Sequence, residues 1–411
     1  MSRRHRPIAR TAAAKAGKDV HDTAFVDFLR VEQVGGLVLL AAAALALLVA
    51  NTPLREAYDA FRGVTFGPSA LGARLDVRHW VSDGLLALFF FVAGVEVKRE
   101  LVVGELSDRR AATLPVVAAF GGMAVPALLY LAVAGGSPGA AGGWPVPMAT
   151  DIAFALGVLA LVGSHAPAGL RVFLLSLAVV DDLGAIAVLA VLFTDGLALA
   201  PMAGAAALLG AYALAQRRRV TSAWLSVPRV LAVWLCVHAG GVHATVAGVA
   251  LGLLTRVRPD AGEAHSPADR LEHRLQPWSA GVVVPVFAFT AAGVAVSGDV
   301  LTGAAGDRAA VGVAVGLLVG KTVGVLGAAF LAVRLGVARL PDGLGWPDVA
   351  GVAVLAGTGF TVSLLLAGLA FDDPGRVDRV TLAVLASSVL ASVAGAAAVR
   401  ARRGAHLHGA R

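Results

Sequence analysis

Val180-Asp181-Asp182-Leu183-Gly184-Ala185-Ile186 lies in the middle of an apolar run, Val172 to Phe193, that carries no other charge. A run of about 20 apolar residues is long enough to span a bilayer as a helix. An acidic side chain at mid-span disfavours insertion by roughly 3 kcal/mol, so two in a row are a heavy penalty. Folding gains nothing evident from them. Carboxylates at that depth read by default as part of an ion or proton path.

The rest of the chain agrees with a membrane setting. Of 411 residues 58% are hydrophobic and only 15% charged, against about 25% charged in soluble domains. The apolar runs are too long and too continuous for barrel strands, which alternate with period two. The fold class expected is therefore an all-α polytopic membrane protein. About twelve spans can be placed, at 34–51, 81–98, 111–134, 145–163, 170–194, 197–216, 227–240, 243–255, 278–297, 309–335, 348–371 and 379–400. Gly240-Gly241 marks a tight turn between two short ones. The 49 glycines let helices approach closely in lipid. The single Cys236 excludes an internal disulfide.

The net charge of +7 would suit nucleic acid, but the basic residues form short clusters beside the spans. The N-terminal stretch, Lys98-Arg99 with Arg109-Arg110, Arg217-Arg218-Arg219, Arg256 to Arg274, Arg334 with Arg339, and Arg400 to Arg403 all fall on one side. This is the positive-inside pattern, with both termini cytoplasmic. The chain divides into a basic tail at 1–30, a transmembrane domain at 31–400 and a basic tail at 401–411. One outer loop, Asn51 to Trp80, breaks the trend with Arg55, Arg62, Arg74 and Arg78, partly offset by Glu56, Asp59 and Asp76; it is long, and Val64-Thr65-Phe66 and Arg74-Leu75-Asp76-Val77 around Gly67-Pro68 predict a small β-hairpin.

The fourth span carries Pro145, Pro147 and the polar pair Thr150-Asp151, and the eleventh carries Gly357-Thr358-Gly359-Phe360-Thr361. Spans three to five and ten to twelve form two groups of opposite orientation, each with an interrupted middle span. Interrupted spans at matching places point to a transporter site. Asp181 and Asp182 stand about 100° apart on a helix, so they face different directions. Two close carboxylates repel when both are ionised, which favours holding a proton; Na⁺ also prefers oxygen ligands. A group that holds either ion, but not both well, is an exchanger in outline. Lys321, in the middle of the tenth span, is too deep to reach water easily and needs a carboxylate partner, with the aspartate pair as the evident one. Gly320 and Gly324 beside it allow a neighbouring helix to pack closely.

Three further groups are less specific. His243 enters the eighth span, and a lone histidine there is more often simply interfacial than a pH sensor. Glu96, with Lys98, Arg99 and Glu100, and Glu272-His273, with Glu263 and His265, are expected to be solvated faces; a cytoplasmic gate is the sharper alternative. No P-loop, zinc spacing, dinucleotide fingerprint or Gly-x-Gly-Asp protease motif is present, so an enzyme is not expected.

Six stretches together resemble the NhaA-type Na⁺/H⁺ antiporters. They are Ala149-Thr150-Asp151-Ile152-Ala153-Phe154-Ala155, the Val180 to Ile186 stretch, Gly94 to Glu100, Gly241-Val242-His243-Ala244-Thr245, Arg270-Leu271-Glu272-His273 and Gly357 to Thr361. The resemblance covers about residues 25–400. It implies twelve helices with two inverted three-helix repeats, whose broken fourth and eleventh helices cross at mid-membrane. Asp182 would be the central carboxylate for cation and proton. Asp181 would be a second acid, paired with Lys321 when no sodium is bound. Thr150 and Asp151 would lie at the crossing with Gly357, Thr358, Gly359, Phe360 and Thr361, Asp151 offsetting partial positive charge and Lys321 partial negative. Glu96, Glu272 and His243 match positions tied to pH response. The 51–80 loop would serve a homodimer. The implied activity is electrogenic export of Na⁺ or Li⁺ against proton entry, for pH and sodium homeostasis, in the bacterial cytoplasmic membrane and without a cofactor. Thr322 departs from a frequent proline, Gln276 from a second histidine, and the N-terminal extension is longer and more basic than the family suggests. A Na⁺-coupled organic-anion symporter on a related fold is the alternative, with Lys321 as a substrate contact.

Overall fold

The structure is a computed structural model, and it describes residues 34–402 apart from 70–71, 163–166, 195, 221–222, 261 and 342. The basic stretch at 1–30, and all of the 401–411 tail beyond its first two residues, lie outside the described residues. The chain is all-α and polytopic. Its helices are α1 (Val34–Ala50), α2 (Arg55–Arg62), α3 (Val77–Val102), α4 (Arg109–Ala134), α5 (Ile152–Val162), α6 (Ala168–Leu192), α7 (Leu199–Arg217), α8 (Ala223–Ala239) and α9 (Thr245–Leu254). There follow α10 (Pro267–Trp278), α11 (Val284–Ala291), α12 (Gly298–Gly306), α13 (Arg308–Arg334), α14 (Trp346–Leu355), α15 (Phe360–Ala370) and α16 (Pro374–Ala401). Among the described residues seven helices are long and apolar enough to cross a bilayer, or nine if each of two bent pairs counts as one.

The two interrupted segments break where their sequences are polar or rich in proline. Two 3₁₀ turns, Ala141–Gly143 and Val146–Met148, lead into non-helical backbone at Ala149–Asp151, and only then does α5 begin. Helices α14 and α15 bend by 46° about the Ala356–Gly359 break. Proline lacks the amide that a helix interior needs, and glycine stiffens it least, so both breaks follow from local chemistry.

Helices α4 and α13 pack back to back. A methyl group added at Gly324 or at Gly121 would run into the other residue's backbone, so the two helices touch main chain to main chain. This close approach is the one the glycines beside Lys321 predict, and it lodges the lysine's helix firmly against α4.

The hairpin is present. Thr65–Phe66 (β1) pairs antiparallel with Leu75–Asp76 (β2), Thr65 opposite Asp76 and Phe66 opposite Leu75. The ninth span requires a correction. It was expected to continue to 297, but α11 stops at Ala291 and the chain runs on without helix to Ser297. The freed backbone finds its partner in Asn51, whose side chain donates to Val294 O at 2.9 Å and accepts from Val296 N at 2.6 Å. An amide that can both donate and accept replaces the helical bonds, which hydropathy alone does not reveal.

A polar clasp ties the N-terminal ends of α13 and α16. Asp307 caps α13 through Ala309 N at 2.9 Å and accepts from Arg379 Nε at 2.9 Å and Arg376 Nε at 3.4 Å; Arg376 also donates to Pro138 O at 3.0 Å. Burial pushes the Asp307 carboxyl up, but the hydrogen bonds from Arg379 and Ala309 and the charges of both arginines outweigh it and hold the group below its ordinary value. A depressed carboxylate contributes stability above its unfolded pKa and loses it as pH falls through the folded one. Asp307→Asn is therefore expected to lower stability by about 2 kcal/mol at neutral pH. Thermal unfolding should show that difference closing once pH drops below about 4, the ordinary carboxylate value.

Candidate functional site

The non-helical stretches at 149–151 and 356–359 lie against each other. Asp151 N donates to Thr358 O at 2.5 Å, and Thr150 Oγ1 lies 2.9 Å from Ala356 O. The aromatic rings of Phe154 and Phe360, just inside α5 and α15, stack at 5.7 Å. Leu317 O, on α13, lies where a Cβ at Gly357 would stand 2.5 Å from it, so the break also presses on the turn that precedes Lys321.

Asp151 sits between two helix starts. Its Oδ1 accepts from Phe154 N at 3.0 Å, while its Oδ2 accepts from Thr361 N at 3.1 Å and from Thr361 Oγ1 at 2.8 Å. A helix N-terminus carries unpaired amides and about half a positive charge. One carboxylate thus satisfies α5 and α15 together and locks the two breaks in register. Asp151 is thus a cap shared by two helices in the buried interior.

Around this junction stand the remaining candidates. Asp181 is fully buried on α6; its Oδ2 accepts from Thr150 Oγ1 at 2.6 Å and forms an ion pair with Lys321, which is equally buried. Thr150 has one hydroxyl proton, so it serves either Asp181 or Ala356 O at a given moment. Asp182 faces elsewhere, as adjacent helical positions must. It is buried too, yet among the described residues no group donates to it. Asp181 Oδ1 and Asp182 Oδ1 are both left without a hydrogen-bond partner. The site therefore holds two buried carboxylates with spare oxygens, one hydroxyl, carbonyl oxygens of a broken helix and one ammonium. The oxygens are a ligand set for a small hard cation, and the ammonium is a rival for them.

Lys321 begins a regular helical stretch directly after a π-turn at Gly316–Gly320. Thr322, the departure from proline, returns its hydroxyl to Leu318 O at 2.8 Å. The supports that sequence reasoning missed are serines. Ser388 Oγ accepts from Phe360 N at 3.2 Å, and Ser363 Oγ donates to Val146 O at 2.7 Å. Both sit among apolar neighbours and belong to no charged motif; the signal is a small hydroxyl residue on a face that otherwise packs.

The pH-response candidates lie in two other places. The expectation of solvated faces fails for Glu96, Glu100 and Glu272, all of which are buried. The reason is mutual cover: α10 lies against the end of α3, where Arg99 Nη1 meets Glu272 Oε1 at 2.6 Å and Glu100 accepts from Glu105 N. Glu263 does belong to a more open charged group, with Arg256 and Arg270. His243 is buried against Thr245 Oγ1 at 2.8 Å, with its Nε2 3.3 Å from Asp83 Oδ1. Asp83 was not singled out from sequence because it stands close to a loop; a π-turn at Trp80–Leu85 carries it inward.

Comparison with known proteins gives the family of the chain. Residues 26–399 match the family model described as Na⁺/H⁺ antiporter 1. The chain is 58% identical to the Na⁺/H⁺ antiporter NhaA 1 of Saccharopolyspora erythraea, over 92% of each chain. It is 55% identical to NhaA 2 of Rhodococcus jostii, over 92% of this chain and 93% of that one, and 49% identical to NhaA of Thermobifida fusca, over 96% and 97%. The chain belongs to the Na⁺/H⁺ antiporter 1 family, a family of transporters and not of enzymes. The organic-anion symporter has no support among these relatives.

The geometry separates the two aspartates by their energetics. Lys321→Ala leaves Asp181 as an uncompensated buried charge and is expected to destabilise the protein by about 3–5 kcal/mol. Asp182→Asn removes no bond and should unfold at the wild-type temperature or above it. Thermal unfolding in detergent measures both.

Proposed function

We propose that the chain is a secondary active antiporter that exports Na⁺ or Li⁺ in exchange for entering protons. The observation that carries the reading is the buried group of Asp181, Asp182 and Lys321 at the junction of two broken helices. Na⁺ and H⁺ compete for the same oxygens. With no sodium present, Lys321 neutralises Asp181 and Asp182 carries a proton. Arrival of Na⁺ at the two carboxylates and Thr150 displaces the proton of Asp182, and Lys321, parted from Asp181, gives up a second proton. The site then opens to the other side, where protons displace the cation. The cation is cargo, not a resident metal. Two protons exchanged for each Na⁺ would move net charge, so the proton gradient and the membrane potential both drive the cycle.

The setting proposed is the cytoplasmic membrane of a bacterium, with both termini inside and α4 to α6 related to α13 to α16 as inverted repeats. The hairpin, with Thr65 and Phe66 exposed, would meet that of a second copy. Exchange would serve pH and sodium homeostasis.

Relaxation of a pH gradient in proteoliposomes on adding NaCl, LiCl or KCl tests the activity. Na⁺ and Li⁺ should collapse the gradient, and Asp182→Asn should reduce the response by at least about a hundredfold while the protein stays folded; loss of a group on which the chemistry itself depends has effects of that order or more. Normal Na⁺-dependent proton flux in that variant would sink the assignment.

The Arg99–Glu272 pair supports a pH gate outside the ion site. Glu272 lies on the polar helix α10, beyond the spans; burial raises its carboxyl above the ordinary value although Arg99 pulls it back. Protonation in mild acid would release Arg99 and uncouple α10 from α3. Glu272→Gln mimics that released form, so the rise of exchange with pH should move to the alkaline side. An unchanged pH profile of exchange rate would remove Glu272 from the gate.

A further inference from the structure

An apolar cleft of about 610 Å³ opens on the flank of the bundle between α13 and α14, away from the ion site. Its walls are Val323, Leu326, Gly327 and Phe330 on one helix and Trp346 and Pro347 on the other. This volume falls within the 300–1,000 Å³ range of small-molecule sites, but the lining offers almost no polar atom to fix a polar ligand. Trp346 packs edge-on against Phe330, their ring centroids 5.2 Å apart, and closes one end.

Just beyond that end stands a cation. Arg334 follows Phe330 by one helical turn and so continues the stripe that Val323, Gly327 and Phe330 draw along α13. It is exposed, and so is Arg339 in the following loop. Among the described residues neither has an acidic partner, unlike Arg402, which meets Asp348 at 3.3 Å. A dry slot running along a helix, closed by a tryptophan and ending in an unpaired arginine, matches one kind of molecule. The slot takes a hydrocarbon chain, tryptophan favours headgroup depth, and the arginine complements a phosphate.

We propose that this cleft binds an anionic phospholipid of the leaflet on the basic side of the protein, with one acyl chain between α13 and α14 and its phosphate on Arg334. The site bears on the ion path through its walls. Helix α13 carries Lys321, and α14 runs directly into the Ala356–Gly359 break. A chain wedged between them sets the spacing of the elements that hold the carboxylates' partners.

The full-length protein, purified in detergent and mixed with dioleoylphosphatidylglycerol or dioleoylphosphatidylcholine, can be followed by native mass spectrometry. The wild type should retain one phosphatidylglycerol in preference to phosphatidylcholine. Gly327→Leu should lose it: no atom lies within 4 Å of where a Cβ at this position would stand, so the new side chain fills the cleft without displacing the fold. Arg334→Gln, an exposed change, should narrow the preference roughly fivefold, the worth of one basic side chain at an anionic surface. Equal retention of both lipids by the wild type overturns the proposal, as does unchanged phosphatidylglycerol binding in Gly327→Leu. A dimer that dissociates in Gly327→Leu, with no lipid bound in the wild type, would assign the face to a second copy and overturn it too. The readout is binding, so its outcome is independent of whether the chain exchanges sodium.

Discussion

An ammonium and a carboxylate held together out of reach of water are the constraint around which this molecule is arranged. Desolvating either alone is prohibitive, and even the pair gains little net stability from its attraction. The protein therefore surrounds Asp181 with a second donor, Thr150, and brings Lys321 to it on a helix that contacts its neighbour main chain to main chain. Thr150 can stand there only because its segment is not helical, and that segment is stable only because Asp151 serves the amides of two helix starts. Broken helices, glycine contact and shared cap are thus successive requirements of a single buried ion pair. Such a pair favours one geometry strongly without contributing much stability, which suits a site that must exchange partners.

The elements differ in how plainly the sequence announces them. The spans were legible because long apolar runs can hardly be anything else, and the hairpin because Gly67-Pro68 separates two short strand-like stretches. The carboxylates and Lys321 were legible for the opposite reason, as charges where none belong. Less visible was what depends on satisfaction of the backbone. The stop of α11 at Ala291 answers to Asn51, far away in sequence, and the two serines behind the breaks carry neither charge nor motif. Burial of Glu96 and Glu272 was missed because a short charged stretch looks solvated until the helix that covers it is known.

Charge is distributed in layers with different dielectric consequences. At the junction, few groups interact strongly and salt cannot screen them. At the Arg99–Glu272 contact burial is less complete, so solution pH reaches the pair through ordinary carboxylate chemistry. On the hairpin side, Asp59 and Arg55 are surface ions, whose interaction fades with ionic strength. The same residue types therefore meet a dry interior, a half-screened contact or open solvent according to depth alone.

The π-turn at Gly316–Gly320 carries a consequence for how such a chain varies. A π-turn accommodates one extra residue in a helix, and every residue after it is rotated by about 100° relative to an unbroken helix. A helical wheel drawn through Arg308–Arg334 would thus put Lys321 on the wrong face. The lysine's direction is set by a count of residues as much as by their identity: a single-residue deletion within Gly316–Gly320 would close the π-turn into ordinary helix and keep the ammonium toward Asp181, whereas a deletion in the regular helix before it would turn the ammonium away by about 100°. The π-turn is thus where α13 can lose a residue without redirecting its lysine.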